Sequence, residues 1–139
     1  MRLNRASDFA LRLLMLMEKL GGRLSIEAAA TRLGLPKSHL MKIAAKLGAA
    51  GLVSAKPGPG GGLVLREPAQ NIRIGAVVRW METDFAVVDC MTGSASCVFI
   101  TRCALSSAMR SATEAFLAEL DRFTLAELAA QTATPPAAA

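Results

Sequence analysis

The sequence has 139 residues, enough for one small domain with a helical arm, and its 53% hydrophobic content excludes an intrinsically disordered chain. No apolar run reaches the ~18 residues that span a bilayer, so we expect a cytoplasmic protein without a membrane partner. Residues 1–82 hold 13 Lys and Arg against 5 Asp and Glu, whereas residues 83–139 hold 3 against 6, which predicts an anionic partner for the first part alone.

The first third of the chain predicts three helices. An apolar stripe over residues 9–20 ends at Gly21-Gly22, and Ser25 is a predicted N-cap for a shorter helix that ends at Gly34. Pro36 suits the first turn of a third helix. The inward stripe of this third helix comprises Leu40, Ile43, Ala44 and Leu47.

The outward face of the third helix is basic. A short helix, a turn near Gly34 and a second helix with a basic face are typical of a helix-turn-helix, whose second helix enters the major groove of double-stranded DNA. The predicted DNA contacts on this helix are Lys37, Ser38, His39, Lys42 and Lys46.

A β-hairpin is predicted directly after this helix. The β-prone runs "LVSAK" and "GLVLRE" flank "PGPGG" at residues 57–61. A hairpin after a basic helix is the wing of a winged helix. The glycine spacing fits no nucleotide-binding loop, and we find no acid–base pair or activated nucleophile, so an enzyme is not expected.

The second half predicts two further helices around a loop. Residues 72–82 form a helix on which Trp80 is expected to pack, and residues 83–103 form a Gly/Ser-rich loop. A long apolar stripe then runs through Leu105, Met109, Ala112, Phe116 and Leu120. A winged helix does not need this stripe for its own core, so we expect it to pack against a second copy in a homodimer.

The predicted fold is therefore mainly α with a small β-hairpin wing. The DNA-binding domain spans residues 1–82, the cysteine loop 83–103, and the dimerisation helix with a short last helix 104–130. Thr124 and Glu127 form a capping box for the last helix. Residues 131–139 are expected to be a disordered tail.

All three cysteines, Cys90, Cys97 and Cys103, lie in the predicted loop. Reduced thiols gathered in one loop more often bind metal than pair as disulfides. An iron–sulfur cluster is favoured over zinc, because the spacing does not match a zinc knuckle and the single histidine, His39, lies on the predicted DNA face. Structural cysteines without metal remain an alternative.

Several segments together resemble the Rrf2 family of winged-helix iron–sulfur regulators, and within it the nitric-oxide-sensing repressors of the NsrR type. They are "MRLNRASDFALRLLM", "HLMKIAAKLGAAGLV", "GPGGGLVL", "IRIGAVVRWMETDFAVVDC" and "FLAELDRFTLAEL", which extend the resemblance over about residues 1–130. The resemblance implies a dimeric repressor with one 4Fe–4S cluster per subunit, held by the three loop cysteines. It implies a carboxylate of the partner subunit as fourth ligand, and Asp8 stands at the matching position. Nitric oxide is the implied effector.

Some features depart from that pattern. The first cysteine gap has six residues instead of five, and Pro57 and Pro59 replace arginines of the usual wing, where Lys56 and Arg66 remain as predicted DNA contacts. No histidine follows Cys103 closely, which argues against the 2Fe–2S branch similar to IscR. Iron-responsive regulators similar to RirA remain an alternative. A cluster-carrying electron-transfer protein is the alternative from another class.

Overall fold

A computed structural model describes residues 2–93, 97–99 and 103–136 of the chain. The helices in these ranges are α1 (Arg5–Lys19), α2 (Ile26–Leu33), α3 (Lys37–Ala49), α4 (Ile74–Met81), α5 (Ala104–Leu120) and α6 (Leu125–Gln131). The strands are β1 (Arg23–Leu24), β2 (Val53–Lys56) and β3 (Gly62–Leu65), and two short 3₁₀ helices span Ala69–Asn71 and Asp89–Thr92. No helix in the described part of the chain is long and apolar enough to cross a membrane.

Helix α1 lies at the centre of the core. It contacts α2, α3, α4, α6 and the sheet. Of the predicted stripe Phe9, Leu13, Leu16, Met17 and Leu20, the middle three residues are almost completely buried and the outer two partly buried. Leu14, which was not on the predicted stripe, is buried too. The helix starts at the N-cap Asn4, whose side chain accepts a hydrogen bond from the Ser7 N–H at 2.8 Å.

Helices α2 and α3 form the predicted helix-turn-helix. Ser25 caps α2 by accepting from the Ala28 N–H at 3.1 Å, and Gly34 ends it in the left-handed conformation at φ +62°. The prediction that Pro36 lies in the first turn of α3 is wrong, because Pro36 precedes the helix as its N-cap. Its ψ of 131° is extended, so the helical backbone begins only at Lys37.

The wing is a three-stranded antiparallel sheet in the order β1-β3-β2. The β2–β3 hairpin was predicted, whereas β1 was not, since two residues are too few to show an alternating pattern. Gly62, at φ +140°, lets β3 approach β1 closely, because an added Cβ would lie 2.8 Å from the Leu24 carbonyl oxygen. The wing is thereby attached to the turn between α1 and α2.

The helix α4 buries one face in the core, and α5 packs on it. Its buried residues are Ile74, Gly75, Val77, Val78 and Met81. The expectation that Trp80 packs is wrong for the single chain, since Trp80 lies on the opposite face and is 60% exposed. The α5 residues buried on this side are Thr113 and Leu117. The predicted stripe of α5 is therefore left largely uncovered.

The last helix returns to α1 and joins the core. Thr124 and Glu127 form the predicted capping box, with the Thr124 N–H donating to Glu127 Oε2 at 2.8 Å. The Leu125 N–H donates to the Ile72 carbonyl at 2.9 Å, which joins the start of α6 to the chain before α4. Residues 137–139 of the predicted disordered tail lie outside the described residues.

A Gly75→Ala variant should destabilise the protein. An added Cβ would lie 2.8 Å from the Leu117 carbonyl oxygen and even closer to Asp121 Oδ1, so α5 would have to move. We expect a loss of about 1–3 kcal/mol in the free energy of unfolding, measured by urea denaturation. The matched control is Gly48→Ala in α3, whose Cβ would lie 3.8 Å from the Val53 oxygen and should stabilise by up to ~1 kcal/mol. Equal effects of the two changes would contradict this packing.

The ion pair across the α4–α5 contact should make stability depend on acid pH. Arg79 donates to both carboxylate oxygens of Asp121, at 2.8 and 2.6 Å, and thereby lowers the pKa of Asp121. A lowered folded pKa contributes stability that is present above the unfolded value of about 4 and is lost as pH falls through the folded value.

Asp121→Asn should therefore lower the free energy of unfolding at pH 7, by less than about 1 kcal/mol because the pair is exposed. The difference from the wild type should vanish towards pH 2. Urea denaturation across this range measures it, with Glu114→Gln as an exposed carboxyl control on the same helix. A difference that stays constant with pH would contradict the assignment.

Candidate nucleic-acid interface and cysteine loop

The outward face of α3 is exposed, as a DNA-reading helix requires. Ser38, His39 and Lys42 are exposed near its N-terminus. Its opposite face is buried in the core through the predicted residues Leu40, Ile43, Ala44 and Leu47. The helix is therefore held from one side and is free to enter a groove with the other.

The three lysines of α3 differ in their surroundings. Lys37 donates to the Glu27 carboxylate and lowers the pKa of Glu27. Lys46 donates from Nζ to the Met81 carbonyl oxygen at 3.2 Å. Lys42 has no hydrogen-bond or ion-pair partner within the described ranges, so its charge is the most available to an external phosphate.

The wing and the residue that follows it carry the other two predicted DNA contacts. The predicted contacts Lys56 and Arg66 are both exposed. A cleft of about 500 Å³ separates α3 from the wing, and Lys37, Met41 and Lys56 are among its lining residues.

Two residues of this surface were missed from the sequence. Arg23 of β1 donates to the Gly60 carbonyl at the wing tip at 3.0 Å. Its position directly after Gly21-Gly22 could have indicated a basic residue on this surface. Met41 is 55% exposed on α3, off the inward stripe. An exposed methionine there can contact a thymine methyl group.

The cysteine loop connects α4 to α5. Cys90 lies in the 3₁₀ helix Asp89–Thr92, Cys97 in irregular backbone, and Cys103 at the N-cap of α5, where its Sγ accepts from the Ser106 N–H at 3.4 Å. All three thiols are unpaired and partly buried. Residues 94–96 and 100–102 of the predicted loop lie outside the described residues.

The predicted metal ligands are not assembled in the single chain. Among the residues that the structure describes, no three His, Cys, Asp or Glu side chains form a group that could hold a metal ion. The donor set nevertheless fits a 4Fe–4S cluster, since three reduced thiols on one loop would supply three of its four protein ligands. The fourth donor would have to come from elsewhere.

Asp8, the predicted fourth donor, lies in the first turn of α1. Its carboxylate binds the Arg12 guanidinium through two contacts, Oδ1 to Nε at 3.0 Å and Oδ2 to Nη2 at 2.8 Å. The Asp8 side chain is 43% exposed. An exposed ion pair of this kind contributes little stability, so the carboxylate can exchange its partner.

The helix-turn-helix, the wing and the basic outward face of α3 define a winged-helix DNA-binding protein. Residues 3–131 match the model of the Rrf2 family, described as "Iron-dependent Transcriptional regulator", and the chain belongs to this family of transcriptional regulators.

Known relatives agree with this assignment. The HTH-type transcriptional regulator NsrR of Bacillus subtilis strain 168 is 37% identical over 131 residues, which cover 92% of this chain and 90% of that protein. These findings confirm the predicted family resemblance and the expectation that the chain is not an enzyme.

Solved structures share the fold. Staphylococcus aureus CymR in its oxidized form superposes with a TM-score of 0.74 at 24% identity, covering 96% of this chain and all of that one (100%). IscR of T. potens superposes with a TM-score of 0.72 at 23% identity, covering 96% of this chain and 93% of that one. The predicted winged-helix fold is thus confirmed.

Replacing Lys42 should weaken DNA binding on every sequence alike. If its ammonium neutralises one phosphate, Lys42→Met should reduce the slope of log K against log salt concentration by about 1. Fluorescence anisotropy with a random 30-base-pair duplex across a salt series measures this slope. The control is Arg122→Gln, because Arg122 is exposed between α5 and α6 and pairs with Glu119. An unchanged slope in Lys42→Met would place Lys42 off the DNA.

Proposed function

We propose that this protein is a homodimeric transcriptional repressor whose operator binding is gated by a 4Fe–4S cluster that senses nitric oxide. The cluster would be held by Cys90, Cys97 and Cys103, with Asp8 of the partner subunit as the fourth ligand. The observation that carries this proposal is that all three thiols lie in the one segment that joins the winged helix to α5.

The uncovered face of α5 supports a homodimer. Leu105 is 55% exposed, and Met109 and Phe116 are only partly buried by their own chain. In the cysteine loop, Val98 is 90% exposed and Phe99 is 69% exposed. A second copy would cover these apolar residues and would bring an Asp8 carboxylate of the partner subunit towards the loop.

The DNA would be read by α3 and held by the wing. Ser38 and His39 near the N-terminus of α3 would reach base edges, while Lys42 would bind phosphate. Lys56 and Arg66 supply charge from the wing, where Pro57 and Pro59 at the exposed tip cannot donate from their nitrogens. Lys37 would have to exchange Glu27 for a phosphate.

The gating would rest on ligand exchange at Asp8. When bound, the cluster supplies iron atoms that nitric oxide can attack. A carboxylate oxygen is a harder ligand than thiolate and leaves iron more readily. Asp8 then has Arg12 of its own chain as a ready partner, so its release leaves no unpaired charge. A loop that is no longer joined to the partner's α1 would leave the spacing of the two α3 helices unfixed.

Iron or redox status is the second candidate signal. It is favoured by the family description as iron-dependent. The same ligands would then respond to iron supply. Chelation of iron, without nitric oxide, would be sufficient to change operator affinity.

Anaerobic purification followed by iron and sulfide analysis tests the proposal. The wild type should hold about four irons and four sulfides per chain, with an absorbance spectrum that collapses and an operator affinity that falls on adding nitric oxide. Cys97→Ser should lose the cluster, and Asp8→Ala should hold a more labile one. Glu18→Gln, a carboxyl change on the same helix, is the matched control. Zinc, or no metal under strict anaerobiosis, would overturn the cluster mechanism.

A further inference from the structure

Side chains from three helices meet where the chain leaves α4. Both oxygens of the Glu82 carboxylate accept from Asn4, from its backbone N–H and from its Nδ2, each at 2.9 Å. The Met81 carbonyl accepts from Asn4 Nδ2 at 3.3 Å and from Lys46 Nζ at 3.2 Å. We call Asn4, Lys46, Met81 and Glu82 the three-helix joint, because it links α1, α4 and α3.

The Met81 carbonyl is a favourable place for a cation. It is among the last four carbonyls of α4, which have no partner inside the helix, and the negative end of the helix dipole lies there. Lys46 therefore completes the end of α4. Its ammonium is directed at protein, unlike that of Lys42, and while it holds Met81 it is not on a phosphate.

Asn4 connects the joint to Asp8. The Asn4 backbone carbonyl accepts from the Asp8 N–H at 3.2 Å, and its Oδ1 accepts from the N–H of the fully buried Ser7. The Asn4 side chain thus uses its amide nitrogen on α4 and its oxygen on α1. Asp8 follows one helical turn later.

Glu82 connects the joint to the cysteine loop. It is the C-cap of α4, and residues 83–88 continue to Cys90 without helix or strand. On the side of α4, a displacement of the loop therefore reaches the helices at Glu82.

We propose that the three-helix joint sets the orientation of α3 and passes the state of the cysteine loop to it, and that Lys46 is a positioning residue and not a phosphate contact. The transmission from the cysteine loop to α3 rests on the proposed function, since it needs a loop with two states. The orientation of α3 by the three-helix joint and the positioning role of Lys46 need only that the protein binds DNA.

The experiment compares full-length Lys46→Met, Lys46→Arg, Glu82→Gln and Lys42→Met with the wild type. Binding is measured by anisotropy across a salt series on two 30-base-pair duplexes, one selected with the wild type from a randomised library and one of random sequence. Lys46→Met and Glu82→Gln should lower the selected-to-random affinity ratio about 5- to 10-fold, because a partly buried hydrogen bond is lost in each, and leave the salt slope unchanged.

The comparison variants separate positioning from direct contact. Lys46→Arg should restore the ratio, since a guanidinium can also donate to the Met81 carbonyl. Lys42→Met should instead weaken both duplexes alike and reduce the slope by about 1. A slope reduced by Lys46→Met as well would overturn the inference in favour of a phosphate contact. An unchanged ratio in Lys46→Met would overturn it too.

Two further readouts keep this inference apart from the proposed function. In DNA-free protein, Glu82→Gln should speed amide hydrogen exchange in the last turn of α3, and unchanged exchange would overturn the positioning role whether or not a cluster is present. The second readout is the operator affinity with the cluster bound divided by that after its removal. This quotient should be closer to one in Glu82→Gln than in the wild type. A wild type that responds to cluster loss and a Glu82→Gln variant that responds equally would overturn the transmission alone.

Discussion

The burial of one face of α1 is the constraint on which the rest of the structure depends. Leu13, Leu14, Leu16 and Met17 fill the space between α2, α3, α4 and α6, so each of these helices takes its place from α1. The side of the same helix that faces away from the core carries Asp8 and Arg12. A rigid core element thus presents the proposed fourth ligand, and whatever binds Asp8 acts on the helix that organises the DNA-binding domain.

Most of the fold could be predicted because local signals agree with the tertiary packing. Ser25, Gly34 and the Thr124–Glu127 box mark helix ends by hydrogen bonds within a few residues, and periodicity identified the buried faces of α1, α3 and α4. The predictions that were missing or wrong concern features that depend on residues distant in the sequence. The strand β1 exists only because β3 lies beside it, and Trp80 is exposed because no residue in the described part of the chain covers its side of α4.

The site shows the same division. The basic outward face of α3 follows from its amphipathic pattern, and the clustering of the thiols is visible in the sequence. The different roles of Lys42 and Lys46 are not, because the acceptor for Lys46 lies 35 residues away and the partner of Glu82 lies 78 residues away. Such hydrogen bonds leave no periodic trace.

The two ends of α5 are held very differently. Near its C-terminal end the contact with Gly75, the Arg79–Asp121 pair and the bond between the Ile74 N–H and the Phe123 carbonyl fix it to α4. At the other end, Cys103 begins the helix beside the loop. Seventeen residues make a rod about 25 Å long, so a tilt of only about 5° around the fixed end moves Cys103 by about 2 Å. Small rotations of α5 about its contact with Gly75 would therefore displace Cys103 by about the length of an iron–sulfur bond.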